Sequence, residues 1–134
     1  MSDENVEVVR RSWAALERGG LDAVAEFWDP DIEWRAVEGA LDDIGVFSGR
    51  EAMRRYYEEW TSTFDELRGE LEEVIFASGD QVGTVIHTAG RVRGSEGWVE
   101  GRYAVVYTVR GGRIVRGREY ATAGQAREAA GLAG

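Results

Sequence analysis

The sequence predicts an α+β fold in which helices cover one face of an antiparallel sheet. Two observations carry this prediction. The first half of the chain has apolar residues at helical spacing, interrupted by one short strand pattern. The second half has four long strand patterns separated by short turns, which is typical of an antiparallel meander. Helices gathered on one face of such a sheet form a layered α+β architecture.

Three helices are expected before the meander. Apolar residues recur at helical spacing from Val6 to Leu16, and the glycine pair ending at Gly20 suits a helix C-terminus. A short second helix is expected to stop before Pro30, because proline cannot continue a helix. Ser48 and Glu51 match a capping box, which predicts the start of a third helix.

Strand patterns begin at Asp31 and dominate the second half. In the segment 31–37, Ile32 and Trp34 are expected on one face, with Glu33 and Arg35 on the other. The later strands are predicted in LRGELEEVIFA, QVGTVIHTAGRVR, GWVEGRYAVVYTV and RIVRGREYA. A closing alanine-rich helix is expected after the last of these.

The strand from Tyr103 to Val109 is apolar on both faces. Such a strand is expected to be covered on both sides. Helices can cover one side, and a second subunit is the natural cover for the other. The sequence therefore predicts a homodimer that forms through the sheet.

The chain is expected to form a single domain over residues 1–134, because it has no internal repeat, low-complexity tract or linker. The longest connection is a polar, glycine-containing loop from Glu38 to Phe47.

Composition excludes several function classes. The chain has no cysteine and one histidine, so neither a metal site nor a cofactor is expected. Its net charge of −9 disfavours nucleic-acid binding. No apolar run approaches the ~20 residues of a membrane span. An acidic N-terminus does not fit a secretory signal, so a soluble, cytoplasmic protein is expected. All sixteen basic residues are arginine, which hints at a bacterial source.

Four segments carry a family resemblance: FWDPDIEW at 27–34, SGREAMRRYY at 48–57, GRIVR at 112–116 with the following Glu119-Tyr120, and EAAGL at 128–132. In these the chain resembles the nuclear transport factor 2-like superfamily, and within it the SnoaL-like (polyketide cyclase-type) group. The resemblance implies a cone in which a curved sheet wraps a long helix around a deep pocket, with dimers formed through the sheet. The superfamily includes cyclases, isomerases, epoxide hydrolases, dehydratases and domains with no known reaction.

Position by position, the resemblance implies that relatives' acids are missing here. The general-base aspartate of ketosteroid isomerases falls at Arg35, and their proton-donating aspartate falls near Val105, so the same reaction is disfavoured. In limonene epoxide hydrolase-like members, the last aspartate lies in a motif similar to the segment around Glu119. Their first-strand positions become Glu33 and Arg35, and their other acid falls near His87 or Thr88.

Glu119 is the leading catalytic candidate, because a carboxylate at the apolar end of a cone is suited to proton transfer. The alternative is a salt bridge with Arg35, Arg102 or a neighbouring strand arginine. Arg35 could bind an oxyanion, or it could neutralise Glu33 or Glu119. His87 could act as a base or proton shuttle, or it could face solvent or the dimer interface.

Aromatic residues predict the nature of the ligand. A pocket lined by tryptophan and tyrosine favours a flat, mostly apolar molecule held by a few polar groups. The candidate ligand-binding residues are Trp13, Glu33, Tyr56, Tyr57, Trp60, Tyr103 and Val105. Two functions stay open: cofactor-free proton transfer (cyclisation, isomerisation, or addition or removal of water), and non-catalytic ligand binding or dimerisation.

Overall fold

A computed structural model describes residues 2–39 and 45–131, which form three helices and one six-stranded sheet. The elements in chain order are α1 (Ser2–Val24), a 3₁₀ turn (Ala25–Phe27), β1 (Trp28–Arg35), β2 (Val46–Ser48), α2 (Arg50–Thr61), β3 (Phe64–Ser78), β4 (Gln81–Val92), β5 (Trp98–Arg110), β6 (Arg113–Tyr120) and α3 (Ala123–Ala129). Part of the loop predicted from Glu38 to Phe47 lies outside the described residues, and its last two positions begin β2.

The sheet has the strand order β2-β1-β6-β5-β4-β3 and is curved and unclosed. Strands β3 to β6 form the predicted antiparallel meander. The tight turn between β5 and β6 uses Gly111 and Gly112, whose φ values of 59° and 79° favour glycine. Strand β1 runs parallel to β6 and antiparallel to β2, so the sheet is mixed. The predicted α+β cone is confirmed, with this one parallel pair added.

Helix α1 is broken at Gly20, where φ is 69° and ψ is −155°. These angles lie outside the helical region and are accessible mainly to glycine. The sequence predicted two helices here, and the structure joins them as one kinked element followed by the 3₁₀ turn. After the kink, Val24 and the first residue of β1, Trp28, are both buried in the core.

The predicted capping box at Ser48 is wrong. Ser48 ends β2 and pairs with Glu33 of β1, so helix α2 begins only at Arg50 with Gly49 as its N-cap. Gly49 has φ 96° and offers no side-chain cap. The Arg50 guanidinium fixes the helix start instead, because its Nε and Nη2 donate to the Trp28 carbonyl oxygen at 2.9 and 2.6 Å.

The main core lies between the inner face of the sheet and helices α1 and α2, and it includes Ile32, Ile86 and Ile114. On the outer face of β5, Ala104 and Val106 are buried against Ala126 of α3. Part of the face on which a partner subunit was predicted is thus covered within this chain. Homodimerisation through the sheet stays a prediction.

In the part of the chain that the structure describes, no helix is long and apolar enough to cross a membrane.

Candidate functional site

A cavity of about 250 Å³ lies between helices α1 and α2 and the inner face of the sheet. Its wall is mostly aromatic and aliphatic. The residues that line it are Ser12, Trp13, Leu16, Val24, Trp28, Trp34, Val37, Met53, Tyr56, Tyr57, Trp60, Thr88, Tyr103, Val105, Tyr107, Ile114 and Glu119. A wider groove shares Trp13, Leu16, Tyr57, Trp60, Thr88 and Tyr103 with the cavity, which makes the groove the natural approach for a ligand.

Glu119 supplies the carboxylate of this cavity. It lies on β6 opposite Val105 of β5 and is half-buried. Its Oε2 accepts a 2.7 Å hydrogen bond from Nε1 of Trp34 and a 3.2 Å hydrogen bond from the Tyr56 hydroxyl. Three elements, β1, α2 and β6, therefore fix one carboxylate. Two donors on a single oxygen suit the ionised form of the group.

Gly117 allows Trp34 to reach Glu119. Trp34 and Gly117 are register partners on β1 and β6, and a Cβ atom on Gly117 would lie only 1.9 Å from Cζ3 of Trp34. The indole thus occupies the space that a side chain at 117 would need. From there its N–H reaches the carboxylate two residues further along β6.

Tyrosine hydroxyls add hydrogen-bond donors to the cavity wall. The hydroxyl oxygen of Tyr107 accepts a 3.0 Å hydrogen bond from Nε1 of Trp13. Burial raises the pKa of Tyr107 and of Tyr103 well above the ordinary value, and the nearby Glu119 charge raises both further. Burial also raises the pKa of Tyr57 to about 12. These phenols remain protonated at neutral pH and can donate to a ligand.

Arg102, one of the arginines considered as a partner for Glu119, pairs elsewhere. Its Nε and Nη2 contact the Glu72 carboxylate at 2.8 to 3.0 Å on the outer face of the sheet. This ion pair lowers the pKa of Glu72, mainly through the hydrogen bond from Arg102.

The structure corrects the placement of Glu33 and Arg35. Successive strand residues face opposite sides, so the inward position of Trp34 turns both neighbours outward. Glu33 is exposed, and its Oε2 lies 3.3 Å from Nε of Arg116. Arg35 pairs in register with an arginine of β6 on the same outer face. Neither residue lines the cavity.

His87 is also turned away from Glu119. Its neighbour Thr88 lines the cavity, so His87 faces the outer side of β4. There its Nδ1 lies 3.4 Å from Oε1 of Glu70, and its Nε2 lies 3.3 Å from Oε1 of Glu100. His87 therefore lies in the wall of the wider groove and outside the Glu119 cavity, and its supporting role stays a prediction.

Six of the predicted ligand-binding residues do meet in the cavity wall: Trp13, Tyr56, Tyr57, Trp60, Tyr103 and Val105. Their binding role stays a prediction. Trp34 and Tyr107 also line the cavity and are not among the residues predicted from the sequence. Tyr107 could have been found, because it shares a strand face with Tyr103 and Val105. Predicting that Trp34 lines the cavity would have required knowing that β1 pairs with β6, and the sequence has no local signal for this pairing.

No group of three or more histidine, aspartate or glutamate side chains within residues 2–39 and 45–131 is arranged to hold a metal ion. The polar chemistry of the described cavity wall is carried by one carboxylate and by hydroxyl and indole groups.

The model of the SnoaL-like domain family matches residues 9–117, and the chain therefore belongs to this family. The predicted membership of the nuclear transport factor 2-like superfamily and its SnoaL-like group is confirmed.

Three of the proteins that this chain is similar to illustrate the range of its likenesses. An uncharacterised protein from Mycobacterium tuberculosis (strain ATCC 25618 / H37Rv) is 31% identical over 119 residues, or 88% of each chain. An NTF2-like protein from Burkholderia xenovorans LB400 is 25% identical over 90% of both chains, with a TM-score of 0.70. TerC, co-crystallised with polyporic acid, is 18% identical over 93% of this chain and 96% of its own, with a TM-score of 0.76. At 18% identity the likeness to TerC concerns the fold alone.

Proposed function

We propose that this domain binds a small, mostly apolar molecule in the Glu119 cavity and catalyses a cofactor-free proton transfer on it. One observation carries the proposal: Trp34 and Tyr56 hold the Glu119 carboxylate in the wall of an otherwise largely apolar cavity. A fixed carboxylate in such surroundings is suited to act as a general base or acid.

In the proposed reaction, Glu119 accepts a proton from an acidic C–H or O–H group of the ligand and returns it at another position. The hydroxyls of Tyr103 and Tyr107 donate to the ligand oxygen on which negative charge develops. Trp34 and Tyr56 keep the carboxylate oriented throughout. This scheme fits cyclisation, isomerisation and the addition or removal of water.

The roles first assigned to Arg35 and His87 pass to other residues. Neither residue lines the cavity, although His87 lines the wider groove beside it. Protonated phenols replace the arginine as the stabilising group, because burial keeps them neutral.

The size of the cavity limits the ligand. A volume of about 250 Å³ lies below the ~300–1,000 Å³ typical of sites for drug-sized molecules. One ring or two fused rings fit this space, and the aromatic wall favours a flat shape. Polyporic acid, present with TerC, indicates nothing about this ligand, because the identity between the chains is too low.

A second function, ligand binding without catalysis, is favoured because the described residues of the cavity wall include no second acid. Among the described residues that line the cavity, Glu119 is the one carboxylate, and no histidine or arginine joins it. Val105 and Arg35 stand where ketosteroid isomerases keep their aspartates.

Proton exchange separates the two functions. We would follow loss of the α-proton signals of 2-tetralone, a flat ketone with acidic C–H groups, by NMR in D₂O. The proposal predicts that the protein accelerates exchange, that Glu119→Gln returns the rate to the buffer background, and that Glu33→Gln leaves it unchanged. Glu33 is the matched control, because it is an exposed glutamate on a neighbouring strand, outside the cavity. Binding of 2-tetralone without exchange would support the second function.

A further inference from the structure

We propose that the Glu119 cavity selects a positively charged ligand, namely a hydrophobic amine in its protonated or quaternary form. This inference rests on the proposed binding function and is independent of whether proton transfer follows. It names the charge of the ligand, which the fold family leaves open.

The charges of the described cavity wall carry the inference. The residues that line the cavity include Glu119 and no arginine or histidine, although the chain contains sixteen arginines. Two of the groups that donate hydrogen bonds to Glu119 in this wall, Trp34 and Tyr56, carry no charge of their own.

Aromatic rings supply the second attraction. Four tryptophans and four tyrosines line the cavity: Trp13, Trp28, Trp34, Trp60, Tyr56, Tyr57, Tyr103 and Tyr107. The negative faces of aromatic rings attract ammonium groups, and most strongly where the site is desolvated. A carboxylate among aromatic rings thus replaces the hydration that an ammonium group loses on entering the cavity.

An anionic ligand is disfavoured in this cavity. Placing its charge beside Glu119 in surroundings of low polarity costs Coulomb energy, and no basic side chain of the described wall offsets this cost. Tyrosine hydroxyls can bind a neutral carbonyl but carry no charge. The wider groove carries side chains of both charges, namely Arg10 and Arg68 together with Glu17, Asp65 and Glu70. Selection by charge is therefore expected inside the cavity and not at its mouth.

A series of three ligands of matched shape tests the inference: phenyltrimethylammonium, tert-butylbenzene and benzenesulfonate. Binding is followed near neutral pH by the fluorescence of the tryptophans in the wall, with calorimetry for the two soluble ions. We expect the cation to bind about tenfold or more tightly than the neutral isostere, and the sulfonate to bind most weakly.

Variants then assign the preference to one residue. Glu119→Gln is expected to weaken binding of the cation about tenfold and to leave tert-butylbenzene within about threefold. Glu33→Gln, an equal charge change on the outer face, is expected to leave both affinities unchanged. Equal binding of the cation and its neutral isostere by the unaltered protein would overturn the inference. That comparison requires no variant to fold.

Failure of this inference can be told from failure of the proposed function. Exchange of 2-tetralone without a preference for the cation would overturn charge selection and leave proton transfer standing. A preference for the cation without exchange of 2-tetralone would overturn proton transfer and leave charge selection standing.

Discussion

The indole Nε1 of Trp34 donates a 2.7 Å hydrogen bond to Oε2 of Glu119, across the parallel pair formed by β1 and β6. The contact depends on Gly117, which lies opposite Trp34 and leaves room for the ring. An edge-on contact with Tyr107 of β5, at 5.9 Å between ring centroids, supports the indole from beyond β6. Gly117 does not line the cavity, but the space that it leaves allows Trp34 to hold the candidate catalytic carboxylate in place.

Gly117→Ala is expected to destabilise the fold by about 1–3 kcal/mol, because the new methyl group overlaps the Trp34 ring and forces it to move. Urea unfolding followed by circular dichroism measures the loss. Gly101→Ala is the matched control: this strand glycine has open space at its Cβ position, so a neutral or slightly stabilising effect is expected. Equal losses in the two variants would show that Trp34 does not occupy the site opposite Gly117.

Trp34→Phe keeps an aromatic ring but removes the donor to Glu119. Hydrogen bonds to charged groups contribute about 1.5–3 kcal/mol, so a loss of unfolding free energy in this range is expected. Tyr56→Phe should cost less, because its hydrogen bond is longer at 3.2 Å. Trp98→Phe provides the control, since Trp98 is 51% exposed and lies outside the cavity. A Trp34→Phe protein as stable as the Trp98→Phe protein would contradict the assignment.

Stability should fall at alkaline pH because the tyrosines of the cavity are buried. Folding raises the pKa of Tyr57 from 10.0 to about 12. Between these values the folded chain keeps a proton that the unfolded chain has lost, so the stabilisation is complete below pH 10 and declines as pH rises toward 12. Tyr103 and Tyr107 act in the same direction. The chain has no lysine or cysteine to titrate in this range.

Urea midpoints measured from pH 8.5 to 11.5 test this effect. The decline above pH 10 should be shallower in Tyr57→Phe, which has no phenol to ionise at this position. An unchanged slope in this variant would mean that the Tyr57 hydroxyl is solvated in the folded chain.

Association through the sheet is the remaining prediction. The expected mass in light scattering at tens of micromolar is twice the 14.9 kDa of one chain. Since α3 already covers Ala104 and Val106, any dimer would have to use other parts of the outer face. A monomer mass at these concentrations would end the prediction.

Much of the fold could be predicted from local sequence signals. The long strands of the second half, the Gly111-Gly112 turn and the break at Gly20 follow from alternation and from glycine chemistry. The start of α2 could not be predicted from the Ser48 and Glu51 pair. Ser48 is held in β2 by its pairing with Glu33, and this tertiary contact overrides the local capping pattern.

The site was predictable only in part, because cavity walls depend on which face of each strand turns inward. Glu119 and the aromatic residues were found from their types and spacing. Arg35 and Glu33 were expected in the pocket by comparison with relatives, whereas the inward face of β1 belongs to Trp34. The parallel pairing of β1 with β6 determines which side chains of β1 face the cavity. Because this pairing joins residues more than eighty positions apart, local sequence patterns do not reveal it.

The central claim, that Trp34 holds Glu119 inside a ligand cavity, can be tested most directly in the indole region of a ¹H–¹⁵N NMR spectrum. Five tryptophan signals are expected, and Trp34→Phe identifies the one of interest. In the unaltered protein this signal should lie downfield of the others, move upfield in Glu119→Gln, and shift again when 2-tetralone is added. A Trp34 signal that responds neither to Glu119→Gln nor to the added ketone would contradict the account.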